Sequence, residues 1–449
     1  MATTSRWSRF RFRPARASER GGRRGIALVI VLLCTALFYI LITEFTTTAR
    51  IEEHASRNVK FRGEAYYVAL GGVNLLKMYL KTDSDLAYDS LDDDWAKWGR
   101  KSEVKSLPFS RFFVTAVADA ESGKINVNLF NEAKGEKQAL YVRTLKRLEL
   151  LIAAVGYEND FNMTGECSLA REIVDFVDED TASWDNSTEP DYYPNQPLIS
   201  VTELIRVKGM RQEIMFGYTR AAATDADADQ PNQTQSIGAG GETVPGLIDF
   251  LTVYGETSAA MGADKFNPSF MPRYLIVATI LDWWDWKNAL PDELKDKGFS
   301  EKVAEAKKYA DQLIQFRENY VTKKADDWND PAKTAEESGK EEPKDNSYPW
   351  SWPKSMWGEK KGEGYHAQVL RFNGQYFVAR ILINGGENTL GKGTLEYLVA
   401  FKRTPKAAAQ EPSAEQTNEK AEVQTLLWLE QRVPEMKSLD ELTRNKYLR

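Results

Sequence analysis

Residues 26–43, IALVIVLLCTALFYILIT, form a run of 18 residues without a charge. As an α-helix this run would span about 27 Å, which is close to the hydrocarbon thickness of a bilayer. No polar face interrupts it, and no second apolar run of comparable length follows in the 449-residue chain. The run therefore predicts one membrane-spanning helix rather than the core helix of a globular domain.

The charge of the chain is divided at the start of this run. Residues 1–25 contain eight arginines and one acid, Glu19, a net charge of +7, whereas the whole chain has a net charge of −7. The remainder therefore carries −7 − 7 = −14. Arginines flank the cytoplasmic end of membrane helices, so the N-terminus is predicted to be cytoplasmic, with the bulk of the chain on the far side.

The composition also excludes several kinds of site. An acidic chain argues against nucleic-acid binding, which needs a basic surface. The two cysteines, Cys34 and Cys167, cannot form a disulfide framework or a cysteine-rich zinc site. Since only His54 and His366 are available, histidine-based catalysis is poorly supported.

The junction before the apolar run is compatible with three types of N-terminal segment. A secretory signal would be cut after the run, near residues 47–49, and a signal anchor would not be cut. A prepilin leader would be cut after Gly25, on the cytoplasmic side, which would leave Ile26 as the mature N-terminus. The sequence Arg-Arg-Gly25 directly before the apolar residues is typical of the third type.

The helical pattern continues beyond the membrane run. Residues 44–81 contain no proline, and Ala69, Val73, Leu76 and Leu80 recur at helical spacing, so one long helix is predicted. Residues 82–130 follow as the first part of a β scaffold. Its two strands are predicted at residues 109–119 and 125–130, with a turn between them.

The rest of the sequence, residues 131–449, contains both predicted helices and predicted strands. Residues 131–345 predict an α-helical insertion with an acidic loop; its helices are expected at residues 137–155, 167–177, 201–208, 247–254, 274–286 and 300–320. Residues 346–404 return to the β scaffold, with a hairpin turn at Asn373-Gly374 and a strand over residues 394–403. Residues 405–421 predict a linker and residues 422–449 a C-terminal helix.

Several motifs occur in a fixed order between Arg24 and about Gly255. They lie at residues 24–28, 65–72, 123–129, 175–180, 189–193, 195–198, 200–204 and 206–209. In this order they resemble the minor pseudopilin K family of the type II (general) secretion pathway. The resemblance implies an α+β fold with a transmembrane spine helix, a pilin-like α/β scaffold and a large α-helical inserted domain.

The resemblance also implies a function. Members of this family form the tip of the type II secretion pseudopilus, initiate its assembly and promote export of folded proteins across the outer membrane. The implied partners are the minor pseudopilins I, J and H, the major pseudopilin, the inner-membrane assembly platform and the prepilin peptidase, which also methylates Ile26. The implied location is the bacterial inner membrane, with the bulk of the chain in the periplasm, and no enzymatic activity is implied.

Ile30 occupies the fifth position after the predicted cleavage site. Major pilins and most pseudopilins place a glutamate there, and its carboxylate is expected to meet the N-terminal ammonium of the preceding subunit within the membrane. An unpaired charge in a bilayer costs several kcal/mol, so that glutamate favours a position below another subunit. Its absence here, which the K family shares, predicts a subunit with none above it.

Seven carboxylates lie within the 17 residues 175–191. Like charges at this density repel unless a cation or solvent compensates them, and oxygen-only ligands favour Ca²⁺ or Mg²⁺ over zinc. The resemblance implies a structural calcium on Asp178, Asp180 and Glu189, with Asp175 and Asp191 as further candidates. A solvated acidic loop and a catalytic carboxylate pair are the alternatives.

Two other functions are compatible with parts of the sequence. A minor pilin of a type IV pilus or competence system would share the leader and the spine helix. A signal-anchored periplasmic hydrolase would use the acidic cluster for catalysis, although no nucleophile or oxyanion-binding motif accompanies that cluster.

Overall fold

The computed structural model of the protein describes residues 21–83, 85–97, 107–109, 112–131, 138–157, 167–180, 184, 189–220, 242–256, 265–286, 290–319, 370–385, 394–405 and 420–433. Its helices are α1 (Gly21–Thr82), α2 (Asp94–Lys97), α3 (Gln138–Val155), α4 (Ser168–Val177), α5 (Gln212–Phe216), α6 (Arg273–Trp286) and α7 (Phe299–Asn319). Its strands are β1 (Leu107–Phe109), β2 (Phe112–Ala120), β3 (Ile125–Asn126), β4 (Gly217–Arg220), β5 (Glu242–Pro245), β6 (Leu251–Thr252), β7 (Tyr376–Gly385), β8 (Thr394–Pro405) and β9 (Ala421–Val433). The chain divides into two compact units, Met1–Glu64 and Ala65–Arg449.

The first unit contains the N-terminal part of α1. The segment Ile26–Thr82 is long and apolar enough to cross a membrane, and the mean hydropathy of its most apolar 18-residue window is 2.9. The hydroxyls of Thr43, Thr46 and Thr47 each donate a hydrogen bond to the carbonyl four residues earlier, at 2.6–2.8 Å. These bonds satisfy the threonine hydroxyls within the helix itself.

The second unit contains a five-stranded antiparallel sheet in the order β1-β2-β7-β8-β9. The part of α1 from Ala65 onward packs on this sheet through a face of small and aliphatic side chains, which comprises Ala65, Ala69, Val73, Leu76 and Leu80. Gly72 belongs to the same contact, because a Cβ there would lie 3.4 Å from methyl groups of Val114 and Ile381. The lack of a side chain at Gly72 thus permits a close approach of helix and sheet.

The helices α3 to α7 all lie between β2 and β7 in sequence, although these two strands are direct neighbours in the sheet. They form one hydrophobic core with the side chains of residues such as Leu151, Ile173 and Leu281. Across that core the buried Arg147 guanidinium contacts the Asp282 carboxylate at 3.0 Å. The segment between β2 and β7 is therefore a helical insertion that also contains the short strands β3 to β6.

The prediction of a returning strand over residues 125–130 is wrong. Only Ile125–Asn126 is a strand, and it pairs in parallel with β6 and not with β2. Val127–Leu129 is a 3₁₀ helix in which the Asn126 side chain accepts a hydrogen bond from the Asn128 backbone N–H. This capping bond competes with an extended backbone, so the chain turns away from the sheet.

Four further predictions differ from the structure. The helix expected over residues 201–208 is the 3₁₀ helix Val201–Arg206. Residues 422–449 were predicted to form a helix, but Ala421–Val433 is strand β9 and residues 434–449 lie outside the described residues. Residues 373–374 do not form a hairpin turn, because the strand there begins at Tyr376. The helix expected over residues 247–254 is the 3₁₀ turn Leu247–Asp249 followed by β6.

The linker predicted over residues 405–421 begins and ends in strands. Pro405 is the last residue of β8 and Ala421 is the first residue of β9. Residues 406–419, between them, lie outside the described residues.

Candidate functional site

The acidic cluster begins where α4 ends. Ser168–Val177 buries most of its side chains in the core of the insertion, and the helix stops at Asp178, whose backbone is extended. Carboxylate oxygens of Asp178, Asp180 and Glu189 lie within 4.8 Å of one another. The structure thus brings together the three residues to which the resemblance assigns a metal.

Asn195 connects two members of this cluster. Its side-chain amide donates to the backbone oxygen of Asp180 at 2.5 Å and to Oε2 of Glu189 at 2.8 Å. Two further acceptors, Glu189 Oε1 and Asn195 Oδ1, are buried and have no hydrogen-bond partner within the described part of the chain. Buried acceptors of this kind are normally satisfied by a protein donor, a water molecule or a cation.

The electrostatic environment of Glu189 is unfavourable to its charge. Burial raises the pKa of the Glu189 carboxyl, the hydrogen bond from Asn195 lowers it, and the nearby charges of Asp175, Asp180 and Glu172 raise it further. A divalent cation would offset the two effects that raise this pKa, because it replaces the solvation lost on burial and neutralises the neighbouring negative charges.

The spacing of the three carboxylates is compatible with one cation. Calcium binds six to eight oxygens at about 2.4 Å, so two ligands on opposite sides of the ion are about 4.8 Å apart. One carboxylate oxygen from each of the three residues meets this limit, and the donor set contains no nitrogen or sulfur. The residues present therefore fit a hard metal ion.

The two further candidate ligands are placed differently. Asp175 is buried on α4, and its Oδ2 accepts a hydrogen bond from the backbone N–H of Trp184 at 3.1 Å. Asp191 is exposed and is not part of the group of three carboxylates. Sequence reasoning did not select Asn195 as a site residue, although its motif at residues 195–198 was part of the resemblance.

The residues predicted for processing and tip position lie at the start of α1. Gly25 and Ile26 fall within the helix Gly21–Thr82, and the Ile26 side chain is exposed. The side chain of Ile30 is 56% exposed, and its apolar neighbours are exposed to a similar extent. An apolar surface of this extent fits contact with lipid or with other apolar helices.

No protein-family model matches the chain. A curated protein, type II secretion system protein K of Klebsiella pneumoniae, is 28% identical over 203 residues, which are 42% of this chain and 58% of that protein. The chain is similar to protein K. The resemblance predicted from the motifs is thereby confirmed, and the match spans less than two thirds of the length of protein K.

A solved structure, the GspK-GspI-GspJ complex from the type 2 secretion system of enterotoxigenic Escherichia coli, aligns with 85% of this chain and 99% of the matched chain. The sequence identity is 12% and the TM-score is 0.45. The predicted fold class is confirmed: the protein combines helices and strands and carries a long apolar N-terminal helix.

Proposed function

We propose that this chain is a minor pseudopilin of a type II secretion system. The observation that carries the proposal is the long exposed apolar helix on a chain similar to protein K. In this function α1 anchors the protein in the bacterial inner membrane by a single span. The arginine-rich N-terminus is cytoplasmic and the second unit, Ala65–Arg449, is periplasmic.

The proposed position is the tip of the pseudopilus. Ile30 offers no carboxylate to the N-terminal ammonium of another subunit, so nothing within the membrane favours a subunit above this one. The helical insertion between β2 and β7 adds bulk to the scaffold, which supports the same position. Assembly, and not catalysis, is the proposed activity.

By the resemblance to protein K, the partners are the minor pseudopilins I, J and H and the major pseudopilin. Contacts with the inner-membrane assembly platform and with the prepilin peptidase belong to the same proposal. The peptidase would cut after Gly25 and methylate Ile26. The complex would start the pseudopilus that promotes export of folded proteins across the outer membrane.

The proposed cofactor is a structural Ca²⁺ held by Asp178, Asp180 and Glu189. When bound, the ion would neutralise the cluster and fix the segment after α4 against residues 189–195. The support is the convergence of the three carboxylates and the two buried acceptors, Glu189 Oε1 and Asn195 Oδ1. Asp175 would contribute through its negative charge, and Asp191 lies outside the group.

The tip position is tested by the substitution Ile30→Glu, with Ile30→Leu as an apolar control of the same volume. The glutamate would put an unpaired carboxylate in the bilayer at a cost of several kcal/mol, unless another subunit docks above it. We expect export of a folded substrate to fall at least tenfold in Ile30→Glu and to stay at the wild-type level in Ile30→Leu. Equal export by wild type and Ile30→Glu would contradict the proposal.

A further inference from the structure

A second group of buried charges lies outside the candidate metal site. The guanidinium of Arg403, on β8, donates to Asp83 at 2.8 Å, to Asp89 at 2.6 Å and to the Gly374 carbonyl at 3.0 Å. Carboxylate oxygens of Asp83, Asp89 and Asp93 lie within 4.8 Å of one another. We call these four charged residues the Arg403 cluster.

The cluster joins separate parts of the second unit. Asp83 directly follows α1, and Asp89 lies in the loop before α2. The Asp89 backbone N–H donates to the Phe372 carbonyl at 2.6 Å, and its carboxylate accepts from the Gly374 N–H, just before β7. Asn267, in the insertion, donates from its buried side chain to the carbonyls of Asp89 at 3.0 Å and Phe372 at 3.2 Å.

The insertion is therefore tied to the sheet through Asp89. The Asn267 backbone adds a hydrogen bond to the Ser122 carbonyl at 2.9 Å, close to the end of β2. Any change that weakens the hold on Asp89 would loosen both the loop before α2 and the contact with Asn267.

The charges of the Arg403 cluster do not balance when all its carboxylates are ionised. One guanidinium then faces three carboxylates, which leaves two negative charges in a largely buried site. Ser90 donates to Asp93 from its backbone N–H and its hydroxyl, but it brings no charge. Arg371 interacts with Asp89 at longer range, and its guanidinium lies 3.9 Å from Glu256.

A proton is a better compensating charge here than a metal ion. The Asp83 and Asp89 oxygens already accept from the Arg403 guanidinium, and a divalent cation among them would be repelled by this fixed positive charge. Burial raises the pKa of Asp93 to about 7 and that of Asp89 to about 6, although the positive charge of Arg403 opposes the second shift. The pKa of Asp83 is also raised by burial.

We propose that the Arg403 cluster is a proton-dependent latch, in which protonation of the neighbouring carboxyls Asp93 and Asp89 holds the insertion on the sheet and deprotonation above neutral pH loosens this contact.

The direction of the effect follows from proton linkage. The pKa values of Asp89 and Asp93 are raised above those of the unfolded chain, so the folded protein binds more protons between about pH 4 and pH 7. Their contribution to stability is complete below the unfolded pKa and is lost as the pH rises through the folded value. The latch is thus closed in weak acid and opens in weak base.

Hydrogen exchange on the full chain in detergent micelles tests the latch. The reporters are the backbone amides of Asp89 and Gly374, and EDTA is present throughout so that no divalent cation contributes. After correction for intrinsic exchange rates, we expect their protection to fall between pH 6.5 and pH 8.5, by up to about tenfold per pH unit for each proton lost.

The variant Asp93→Asn keeps the shape of the side chain and cannot ionise. We expect it to retain the acid-state protection of the Asp89 and Gly374 amides at pH 8.5. Asp94→Asn, at the adjacent exposed position, removes the same formal charge and should behave as wild type. Protection in the wild type that does not vary with pH would overturn the proposal, and so would an unchanged pH dependence in Asp93→Asn.

Discussion

Asn195 has the only positive φ angle of a non-glycine residue in the described part of the chain, at 46°. This conformation costs about 1–3 kcal/mol in most side chains and is tolerated best by asparagine. It directs the Asn195 amide towards Asp180 and Glu189, which lie 15 and 6 residues earlier in the sequence. At the scale of single residues, the candidate metal site thus depends on a backbone conformation as well as on its carboxylates.

The variant Asp180→Asn tests the calcium proposal. At a calcium concentration 100-fold above the dissociation constant, binding to the folded state adds about 2.7 kcal/mol to the free energy of unfolding. We therefore expect calcium to raise the Tm of the wild-type chain by a few degrees, and EGTA to reverse the rise. In Asp180→Asn most of the rise should be lost, since one charged ligand is removed.

Asp191→Asn is the matched control for this experiment. It removes the same charge from the same loop at an exposed position outside the group of three carboxylates. Its calcium-dependent rise in Tm should equal that of the wild type. If calcium leaves the wild-type Tm unchanged, the three carboxylates form a solvated acidic loop and hold no calcium.

At the scale of elements, the long helices could be predicted from the sequence. α3, α4, α6 and α7 agree with their predicted bounds within one or two residues, because α3, α4 and α7 carry an apolar pattern of helical period and α6 is a long, almost wholly apolar run. Strand β8 was also predicted, since buried and half-buried residues alternate regularly over residues 395–399. The local sequence pattern was sufficient in these cases.

The strands that were missed depend on distant partners. Ile125–Asn126 has only two residues and pairs with Leu251–Thr252, more than 120 residues later. In β9 the bulge opposite Ala400 and Phe401 leaves Leu426 without a partner, so the alternation shifts in the middle of the strand. The apolar run that remains in the sequence, residues 426–429, then has no period of two and was interpreted as helical.

The variant Trp428→Ala tests the assignment of β9. The Trp428 ring lies 5.6 Å from that of Tyr66 on α1 and 5.5 Å from that of Tyr397 on β8. Removal of this half-buried ring should lower the free energy of unfolding by about 2–3 kcal/mol, somewhat less than for a fully buried tryptophan. Denaturant unfolding of the full chain in detergent, followed by circular dichroism, measures the change.

Gln424→Ala is the control for Trp428→Ala, because Gln424 is exposed on the same strand. It should change the free energy of unfolding by less than about 0.5 kcal/mol. An equally small effect of both substitutions would contradict the packing of Trp428 against α1 and β8.

At the scale of the whole molecule, charge and hydropathy differ between the N-terminal part of the chain and the remainder. The arginines of residues 1–25 precede an apolar helix, and the acidic remainder carries the sheet and the insertion. The candidate metal site and the Arg403 cluster both belong to this remainder, and both concentrate negative charge at buried or half-buried positions. In our proposals, a cation compensates the negative charge of the candidate metal site, and a proton compensates that of the Arg403 cluster.

The processing of the chain can be measured by N-terminal sequencing and intact mass of the protein purified from membranes of cells that contain a prepilin peptidase. We expect the mature chain to begin at methylated Ile26, because Gly25 lies directly between the charged leader and the apolar run. Cleavage removes a charge of +7, so the net charge changes from −7 to −14.

Gly25→Leu, which places a bulky side chain at the cleavage site, should remain uncut. A wild-type chain that begins at Met1 would indicate a signal anchor, and one that begins beyond Thr48 would indicate a secretory signal; either result excludes a pseudopilin, since only cleavage after Gly25 leaves the apolar helix with a free N-terminus inside the membrane.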